Sequence, residues 1–456
     1  MHIDVLVAEI GSTTTLVNGF NGIEAGEPAF IGQGQADTTV LDGDVRVGLE
    51  NAVKDLGARL GGGPITYDEM YATSSAAGGL RMCVHGLVYD MTVRAAEAAA
   101  LGAGAIVKMA TAGKLRNEDI IALSEARPNL ILLAGGTDYG ERDTALYNAE
   151  AIAASGLGCP VIYGGNIQNQ KAVAALFEQA HMPCYITENV YPRLDQLNIE
   201  PARRIIHRVF EEHITKAPGM ERIREMVRGN IMPTPGAVME AAQLLYSDIG
   251  DLAVLDIGGA TTDVHSVTAG SDEIAAMSTA PEPFAKRTVE GDLGLYVNAG
   301  NLVGMIGTER LGGELGLDVD AVMNAYKPIP ETPEQFKLTE RLCLEAGLTA
   351  IKRHAGRMRY LFTPSGRRTI AEGKDLTRVF SLVATGGALT RLPNRERIMR
   401  AVADCNRDSM MLYPIPGESR VLYDSDYIMA SLGVLSRGRP QAALALLKRS
   451  LGLSND

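Results

Sequence analysis

The first 20 residues carry a hydrophobic pattern that predicts two strands joined by a short turn. Residues 3–10 are mostly apolar, which is typical of a buried strand. Gly11-Ser12-Thr13 interrupts this run with small and hydroxyl residues, and a β-branched stretch up to Phe20 follows it. The chain is therefore predicted to begin with a strand, a turn and a second strand.

Regular alternation of helices and short apolar strands replaces this pattern from about residue 86 to 198. The predicted helices include Glu141–Ala154 and Gln168–Ala180. The predicted strands are Ala105–Ala110, Asn129–Ala134, Cys159–Tyr163 and Pro183–Thr187. Because such alternation is typical of parallel, doubly wound sheets with right-handed crossovers, we predict a separate α/β domain here.

The strand–turn–strand pattern of the N-terminus returns in the second half of the chain. The apolar run Leu252–Ile257 leads into Gly258–Asp263, which is rich in glycine and threonine, and then into a second short strand. A last apolar strand, Val379–Thr385, ends in Gly386-Gly387-Ala388. The repeated hairpin is the most informative internal similarity in the sequence.

Composition and charge exclude several classes of function. With 456 residues, 46 % of them hydrophobic and 21 % charged, the chain fits a globular protein of two or three domains. Its net charge of −12 would repel a polyphosphate backbone, so no nucleic acid partner is expected. The five cysteines are scattered without a C-x-x-C pair, which argues against disulfides or an iron–sulfur site. Neither a signal peptide nor a membrane-spanning run is recognised, so we expect a cytoplasmic protein without a membrane partner.

Asp256 stands at the end of a predicted buried strand, directly before the glycine turn. Gly258 and Gly259 allow the backbone to approach an anion, because no side chain separates the amides from phosphate oxygens. A strand-end carboxylate can hold hydrated magnesium or orient an attacking water, as a nucleotide site requires. A turn that only needs glycine is the alternative, but a buried carboxylate without a partner is costly there.

The N-terminal copy, Glu9–Thr15, follows the same logic with glutamate in place of aspartate. Alone it is better explained as an ordinary threonine-rich hairpin, but two such hairpins facing each other could clamp phosphates from both sides. Gly386-Gly387-Ala388 adds a third point of close approach, suited to an adenine or ribose, with a structural turn as the alternative. The sequence contains neither a P-loop nor a nucleophile elbow.

In this order, the three turns resemble the two phosphate motifs and the adenosine motif of the superfamily of sugar kinases, heat-shock chaperone ATPases and actin. Further segments resemble the accessory protein encoded with adenosylcobalamin-dependent glutamate mutase, and the resemblance covers nearly the whole chain. These segments are Ala72–Gly79, Leu132–Asp138, Arg287–Gly294 and Tyr427–Gly433. The resemblance implies an α/β fold with two actin-like, ribonuclease H-like ATPase lobes. Residues 1–85 and 199–456 would form the lobes, and 86–198 would be an inserted doubly wound α/β domain.

The resemblance also implies the site residues, with ATP and magnesium as cofactors. The expected phosphate ligands are Gly11, Ser12, Thr13 and Thr14 with Gly258, Gly259, Ala260 and Thr261, and the expected adenosine contacts are Gly386, Gly387 and Ala388. Gly291 and Asp292, in a segment expected to open a helix, would add further amides. Glu9 and Asp256 would be the catalytic carboxylates and would hold magnesium through water. The family's first motif usually begins with aspartate, so Glu9 is expected to slow hydrolysis or change the metal geometry.

By analogy with reactivating factors, the implied function is an ATPase that releases damaged cobalamin from a glutamate mutase-like enzyme. The inserted domain is expected to contact or mimic the cobalamin-binding part of that partner, with Ala134–Asp138 as its functional turn, although a purely structural domain is the alternative. An ATP-dependent hydrolase of cyclic amides, of the hydantoinase or oxoprolinase type, stays open, as does a nucleotide-binding regulator without hydrolysis. The scattered cysteines argue against an iron–sulfur activator of dehydratases. A homodimer is one option for the oligomeric state.

Overall fold

The computed structural model of the chain describes residues 1–11, 13–39, 44–75, 80–101, 105–194, 196–214, 223, 226–229, 231–279, 282–363 and 366–453. The strands are β1 (His2–Ile10), β2 (Thr14–Asn21), β3 (Ala29–Asp37), β4 (Thr66–Ser74), β5 (Leu80–Gly86), β6 (Ala105–Ala112), β7 (Leu130–Leu133), β8 (Val161–Tyr163), β9 (Cys184–Ile186), β10 (Met232–Pro233), β11 (Leu252–Ile257), β12 (Thr262–Val267), β13 (Ala285–Glu290), β14 (Arg357–Thr363), β15 (Gly366–Glu372), β16 (Ser381–Thr385) and β17 (Arg420–Tyr423).

The α-helices are α1 (Val45–Arg59), α2 (Arg94–Leu101), α3 (Asn117–Ala126), α4 (Asp143–Ala154), α5 (Gln170–Gln179), α6 (Glu200–Ile214), α7 (Thr234–Ile249), α8 (Asp272–Met277), α9 (Ala299–Ile306), α10 (Thr308–Leu315), α11 (Val319–Asn324), α12 (Pro333–His354), α13 (Gly386–Arg391), α14 (Arg395–Ala403), α15 (Met429–Ser436) and α16 (Pro440–Ser450). A π-helical turn (Tyr89–Val93) and a 3-10 turn (Ile167–Asn169) also occur among the described residues.

The chain divides into two units, and the larger one contains both predicted lobes. It comprises Met1–Gly78, Ile214–Thr288 and Leu293–Asp456. Its first sheet has the strand order β3-β2-β1-β4-β10 and its second β13-β12-β11-β16-β17. In each sheet the central strand pairs antiparallel with its hairpin partner and parallel with the strand on its other side. The two sheets therefore repeat one topology, which confirms the prediction of two ribonuclease H-like lobes.

One apolar cluster connects the two sheets of this unit. Val7 of β1 and Val254 of β11 both belong to it, together with Ala237 of α7 and Leu432 of α15. The outer faces of the sheets have separate cores, the first packed against α1 and the second against α12. Helices α7 and α15 therefore lie between the lobes. At their crossing, a Cβ on Gly433 would overlap with the backbone of Ala237, so only glycine fits.

The second unit is the inserted α/β domain and comprises Gly79–His213 with Val289–Asp292. Its five strands are all parallel and follow the order β6-β5-β7-β8-β9, which is a doubly wound arrangement and confirms that part of the fold prediction. The unit extends beyond the predicted interval 86–198 at both ends. It starts earlier because β5 pairs with β6 and β7, and it ends later because α6 belongs to it.

Local signals for helix starts agree with the structure at α12. Thr332 caps this helix by accepting a hydrogen bond from the Gln335 amide at 3.3 Å, and Pro333 occupies its first turn. Among the described residues, no helix is both long and apolar enough to cross a bilayer.

Candidate functional site

Two hairpin turns, one in each lobe, share the same backbone geometry. The Gly11 amide donates a hydrogen bond to the Thr14 carbonyl at 2.9 Å, and the Gly258 amide donates to the Thr261 carbonyl at the same distance. Glu9 and Asp256 each stand two residues before the first glycine of their turn. The sequence repeat is thus also a structural repeat, and the two carboxylates occupy equivalent positions.

The two turns lie against each other. A Cβ built on Gly259 would be 3.6 Å from the hydroxyl oxygen of Thr13, which is ordinary van der Waals contact. The structure therefore brings Gly11, Thr13 and Thr14 together with the segment 258–261. Ser12, which was predicted as part of the same phosphate site, lies outside the described residues.

The third predicted turn lies beside the second one. Strand β16 pairs parallel with β11, so Thr385 lies opposite Asp256 and Gly386 follows directly. Gly386 has a φ of +84°, and a Cβ there would overlap with Asp256 Oδ1 and lie 2.7 Å from the Ile257 amide nitrogen. By contrast, a Cβ on Gly387 would meet no atom within 4 Å, and Ala388 packs against the core of the second lobe. The backbone at Gly387 is therefore accessible.

Residues 295–298 fix the second turn by donating hydrogen bonds to its carbonyl groups. The amides of Tyr296 and Val297 donate to the Gly259 carbonyl at 2.8 and 2.9 Å, and the side chain of Asn298 donates to the Ala260 carbonyl at 3.3 Å. In the part of the chain that the structure describes, the amides of Gly259 and Ala260 have no protein acceptor. Oriented backbone amides of this kind suit an anion.

One sequence expectation about this region is wrong. Gly291–Gly294 does not open a helix, because α9 begins only at Ala299. Gly294 instead packs directly on the backbone of Ala260, where a Cβ would overlap with it. Gly291 and Asp292 form a turn immediately after β13, and their contact with a nucleotide stays a prediction.

Glu9 is a buried carboxylate with fixed partners. Its Oε1 accepts hydrogen bonds from the Ser431 hydroxyl at 2.6 Å, the Ser431 amide at 3.0 Å and the side chain of Asn18 at 3.2 Å. Burial raises the pKa of Glu9 to about 7, and the charges of Asp424 and Asp256 add to this shift, although the bonds from Ser431 oppose it. Glu9 therefore holds its proton to a higher pH than an exposed glutamate does.

Asp256 lies in the same electrostatic environment. Its side chain keeps some exposure at the end of β11 but is densely surrounded by protein atoms. This desolvation raises the pKa of Asp256, and the negative charge of Asp424 raises it further. Each carboxylate therefore makes ionisation of its neighbours less favourable.

Asp424 is the member of this cluster that sequence reasoning missed. It is fully buried and accepts hydrogen bonds from four groups. The donors are the hydroxyls of Thr385 and Ser450 at 2.9 and 2.6 Å and the amides of Ile428 and Met429 at 3.1 and 2.9 Å. Asp424 directly follows strand β17, and Asp256 is the second-to-last residue of β11, so a position near a strand end is the signal that could have revealed Asp424.

The carboxylates of Glu9, Asp256 and Asp424 repel one another electrostatically. Like charges held close together raise one another's pKa values, as Glu9 and Asp256 show, and a bound cation would relieve that repulsion. Oxygen ligands, partly through water, are also what magnesium prefers. Among the described residues, the only group of three His, Cys, Asp or Glu side chains whose ligand atoms lie within 4.8 Å of one another is His2, Asp4 and Asp68, so magnesium at Glu9 and Asp256 stays a prediction.

Arg391 links the second lobe to the first beside this cluster. Its guanidinium donates to the side-chain oxygens of Gln33 and Gln35 on β3, both at 2.7 Å. It also lies 5.7 Å from the ring centre of Tyr427. Burial and the nearby Asp256 raise the pKa of Tyr427 well above its ordinary value, so this phenol stays protonated. Arg391 thus forms a direct contact between the two lobes.

The turn Ala134–Asp138 of the inserted domain is bound to its own surroundings. Asp138 Oδ1 accepts hydrogen bonds from the side chain of Asn189 and the Ile167 amide, both at 3.0 Å. The carbonyl of Gly136 also accepts from Asn189, at 3.0 Å. These hydrogen bonds fix the conformation of the turn, and its functional role stays a prediction.

Comparison with protein families gives a match over nearly the whole chain. The family model described as MutL protein matches residues 5–451. A curated relative, Protein MutL of Clostridium tetanomorphum, is 37 % identical over 430 residues, which cover 91 % of this chain and 93 % of that protein.

Solved structures with distant similarity include two reactivating factors and one hydrolase. The nucleotide-free diol dehydratase-reactivating factor has a TM-score of 0.36 and 12 % identity, covering 95 % of this chain and 99 % of that one. Glycerol dehydratase reactivase has a TM-score of 0.34 and 12 % identity, covering 94 % and 100 %. The ATP-dependent caprolactamase from Pseudomonas jessenii has a TM-score of 0.35 and 13 % identity, covering 94 % and 70 %. These scores are low, and the chain's own strand orders are the stronger indication of its fold.

Proposed function

We propose a function from one premise, that this chain belongs to the MutL protein family. The proposed function is an ATP-binding and ATP-hydrolysing reactivating chaperone for an adenosylcobalamin-dependent mutase of the glutamate mutase type. Nucleotide-driven movement of the lobes would release damaged cobalamin, so that intact coenzyme can enter the mutase. The observation that carries the ATPase part is the contact between two equivalent glycine turns, one from each lobe.

The phosphates of ATP are proposed to lie between these two turns. Free amides such as those of Gly259 and Ala260 can bind phosphate oxygens directly. The proposed phosphate ligands are Gly11, Ser12, Thr13, Thr14, Gly258, Gly259, Ala260 and Thr261, with Gly291 and Asp292 as additional contacts. Adenosine is proposed to pack on Gly386, Gly387 and Ala388, next to the open space at Gly387.

Glu9 and Asp256 are proposed to hold magnesium through water and to act as the catalytic carboxylates. When bound, the ion supplies positive charge that offsets the phosphates. Asp256 is the better candidate to orient and deprotonate the attacking water, because Oε1 of Glu9 is already occupied by Ser431 and Asn18. Glu9 would then position the hydrated ion.

Lobe movement is proposed to occur about α7 and α15. Both helices lie in the apolar cluster that connects the two sheets, whereas the turns meet at one side of it. A nucleotide held by both turns would favour the closed arrangement, and loss of the terminal phosphate would remove that bridge. The affinity of the chain for its partner would therefore depend on which nucleotide is bound.

The decisive experiment measures ATP hydrolysis by the purified chain with magnesium, alone and with a mutase inactivated by damaged cobalamin. We expect the mutase to stimulate hydrolysis and to regain activity. Asp256→Asn should abolish both effects, while Asp320→Ala, an exposed carboxylate on α11, should change neither.

The same assay separates the competing functions. Hydrolysis that ignores the mutase but increases with a cyclic amide would overturn the chaperone proposal and favour the hydantoinase or oxoprolinase type. Tight ATP binding without turnover, with or without the mutase, would instead indicate a nucleotide-binding regulator, the function that Glu9 in place of aspartate keeps open.

A further inference from the structure

A two-stranded ribbon projects from the second lobe. Strands β14 and β15 pair only with each other as a sheet, with Tyr360 opposite Thr369, Leu361 opposite Arg368 and Phe362 opposite Arg367. We call residues 360–362 and 366–368 the ribbon tip. Cross-strand partners share a face, so Phe362 and Arg367 lie on one face and Leu361 and Arg368 on the other.

The base of the ribbon is packed, but the tip is not. At the base, Ala371 is buried and forms a bridge to Ser278, while Arg357 forms a bridge to Met411. At the tip, the side chain of Phe362 is 78 % exposed and that of Tyr360 is 45 % exposed. Isolated two-stranded ribbons are marginally stable in water, and this tip carries a contiguous run of three exposed apolar residues, Tyr360, Leu361 and Phe362. The tip therefore has the character of a surface that another molecule covers.

The tip is also positively charged on an acidic chain. Residues 360–369 contain Arg367 and Arg368 but no aspartate or glutamate, whereas the whole chain has a net charge of −12. Neither arginine forms an ion pair within the described residues, although Arg367 lies 4.3 Å from the ring centre of Tyr360. Aromatic residues combined with arginine are the side chains most enriched at the energetic centres of protein interfaces.

We propose that the ribbon tip docks onto an acidic surface of the protein partner. The arginines would pair with a carboxylate cluster on the partner, and Phe362 would enter an apolar pocket beside it. Two arginines are too few for strong binding to a polyphosphate backbone by a chain of net charge −12, so a protein partner is favoured over a nucleic acid. The inference rests on the proposed function for the identity of the partner, a cobalamin mutase.

The test measures binding of the full-length chain to the inactivated mutase by surface plasmon resonance, with the mutase immobilised. We expect the dissociation constant to increase by about tenfold or more in Arg367→Glu/Arg368→Glu and, separately, in Phe362→Ser. The control Lys337→Glu/Arg397→Glu makes the same charge change at two other exposed positions and should leave binding within about twofold. Basal ATP hydrolysis should be unchanged in all variants, and salt should weaken binding of the unaltered chain more than that of the charge-reversal variant.

Each other outcome has a distinct meaning. Equal binding by the unaltered chain and both ribbon variants would overturn this inference and leave the proposed function standing. No binding of the unaltered chain to the mutase would overturn both. If sedimentation showed that the ribbon variants lose self-association, the tip would bind a second copy of this chain. If the variants lost only binding to a labelled oligonucleotide, the tip would bind nucleic acid. Either result would overturn the inference.

Discussion

Substitution by alanine is predicted to have opposite effects on stability at the adjacent glycines Gly386 and Gly387. In Gly386→Ala, the new methyl group would overlap with Asp256 Oδ1 and lie 2.7 Å from the Ile257 amide nitrogen, at a φ of +84°. Strained positive φ costs about 1–3 kcal/mol and overpacking costs a further 1–3 kcal/mol, so we expect a loss of about 2–6 kcal/mol in the free energy of unfolding. Because the clash is with Asp256, ATP hydrolysis should also fall.

Gly387→Ala is the matched control, because its methyl group would meet no atom within 4 Å. Gly387 lies in α13, where alanine is favoured over glycine by about 0.5–1 kcal/mol, so stability should stay equal or increase slightly. If adenosine packs on this backbone, the added methyl group should nevertheless weaken ATP binding. Stability and nucleotide affinity would thus change independently in the two variants.

The assay is urea denaturation followed by circular dichroism, together with calorimetric titration of ATP and magnesium. A free energy of unfolding for Gly386→Ala within about 1 kcal/mol of the unaltered chain would refute the placement of the third turn against Asp256. Unchanged ATP affinity in Gly387→Ala would refute the adenosine contact alone.

Three further substitutions test other parts of the site. The pKa of Glu9 is raised from 4.5 to about 7, so the folded state holds this proton more tightly than the unfolded state does. The free energy of unfolding should therefore fall as pH rises between these values. Glu9→Gln should reduce that fall when urea denaturation is compared at pH 5 and pH 8. Gly433→Ala should lower stability by about 1–3 kcal/mol by separating α7 from α15, whereas Gly438→Ala, which meets no neighbour, should not. Arg391→Ala removes a contact between the lobes and should weaken ATP binding while changing stability by less than about 1 kcal/mol, with Arg397→Ala as the neutral control in both measurements.

The parts of the site that could be predicted from the sequence are those encoded within a few residues. Asp256, Gly258 and Gly259 form a contiguous pattern of strand, carboxylate and turn, and the N-terminal hairpin repeats it. The duplicated hairpin followed from this repeat, because the same local pattern builds the same hairpin, whereas the two-lobe topology was implied by the family resemblance.

The parts that could not be predicted depend on distant contacts. Asp424 becomes part of the site through hydrogen bonds from Thr385 and Ser450, which lie 39 and 26 residues away in the chain, and through the effect of its charge on Glu9. The domain boundary was displaced for a similar reason, since β5 has no local feature that distinguishes the inserted sheet from the first lobe. The helix expected at Gly291 begins at Ala299 instead, because Gly294 is required for close packing on Ala260.

The pairing of β4 with β10 has a consequence for how such a chain can evolve. Thr73 lies opposite Met232 and Ser74 opposite Pro233, so the two ends of the long intervening segment are neighbours on one sheet. Closing a longer loop costs little additional entropy, about 0.6 kcal/mol for each doubling of its length. The length of the segment between these strands can therefore change at little entropic cost while the pairing within the first sheet is kept.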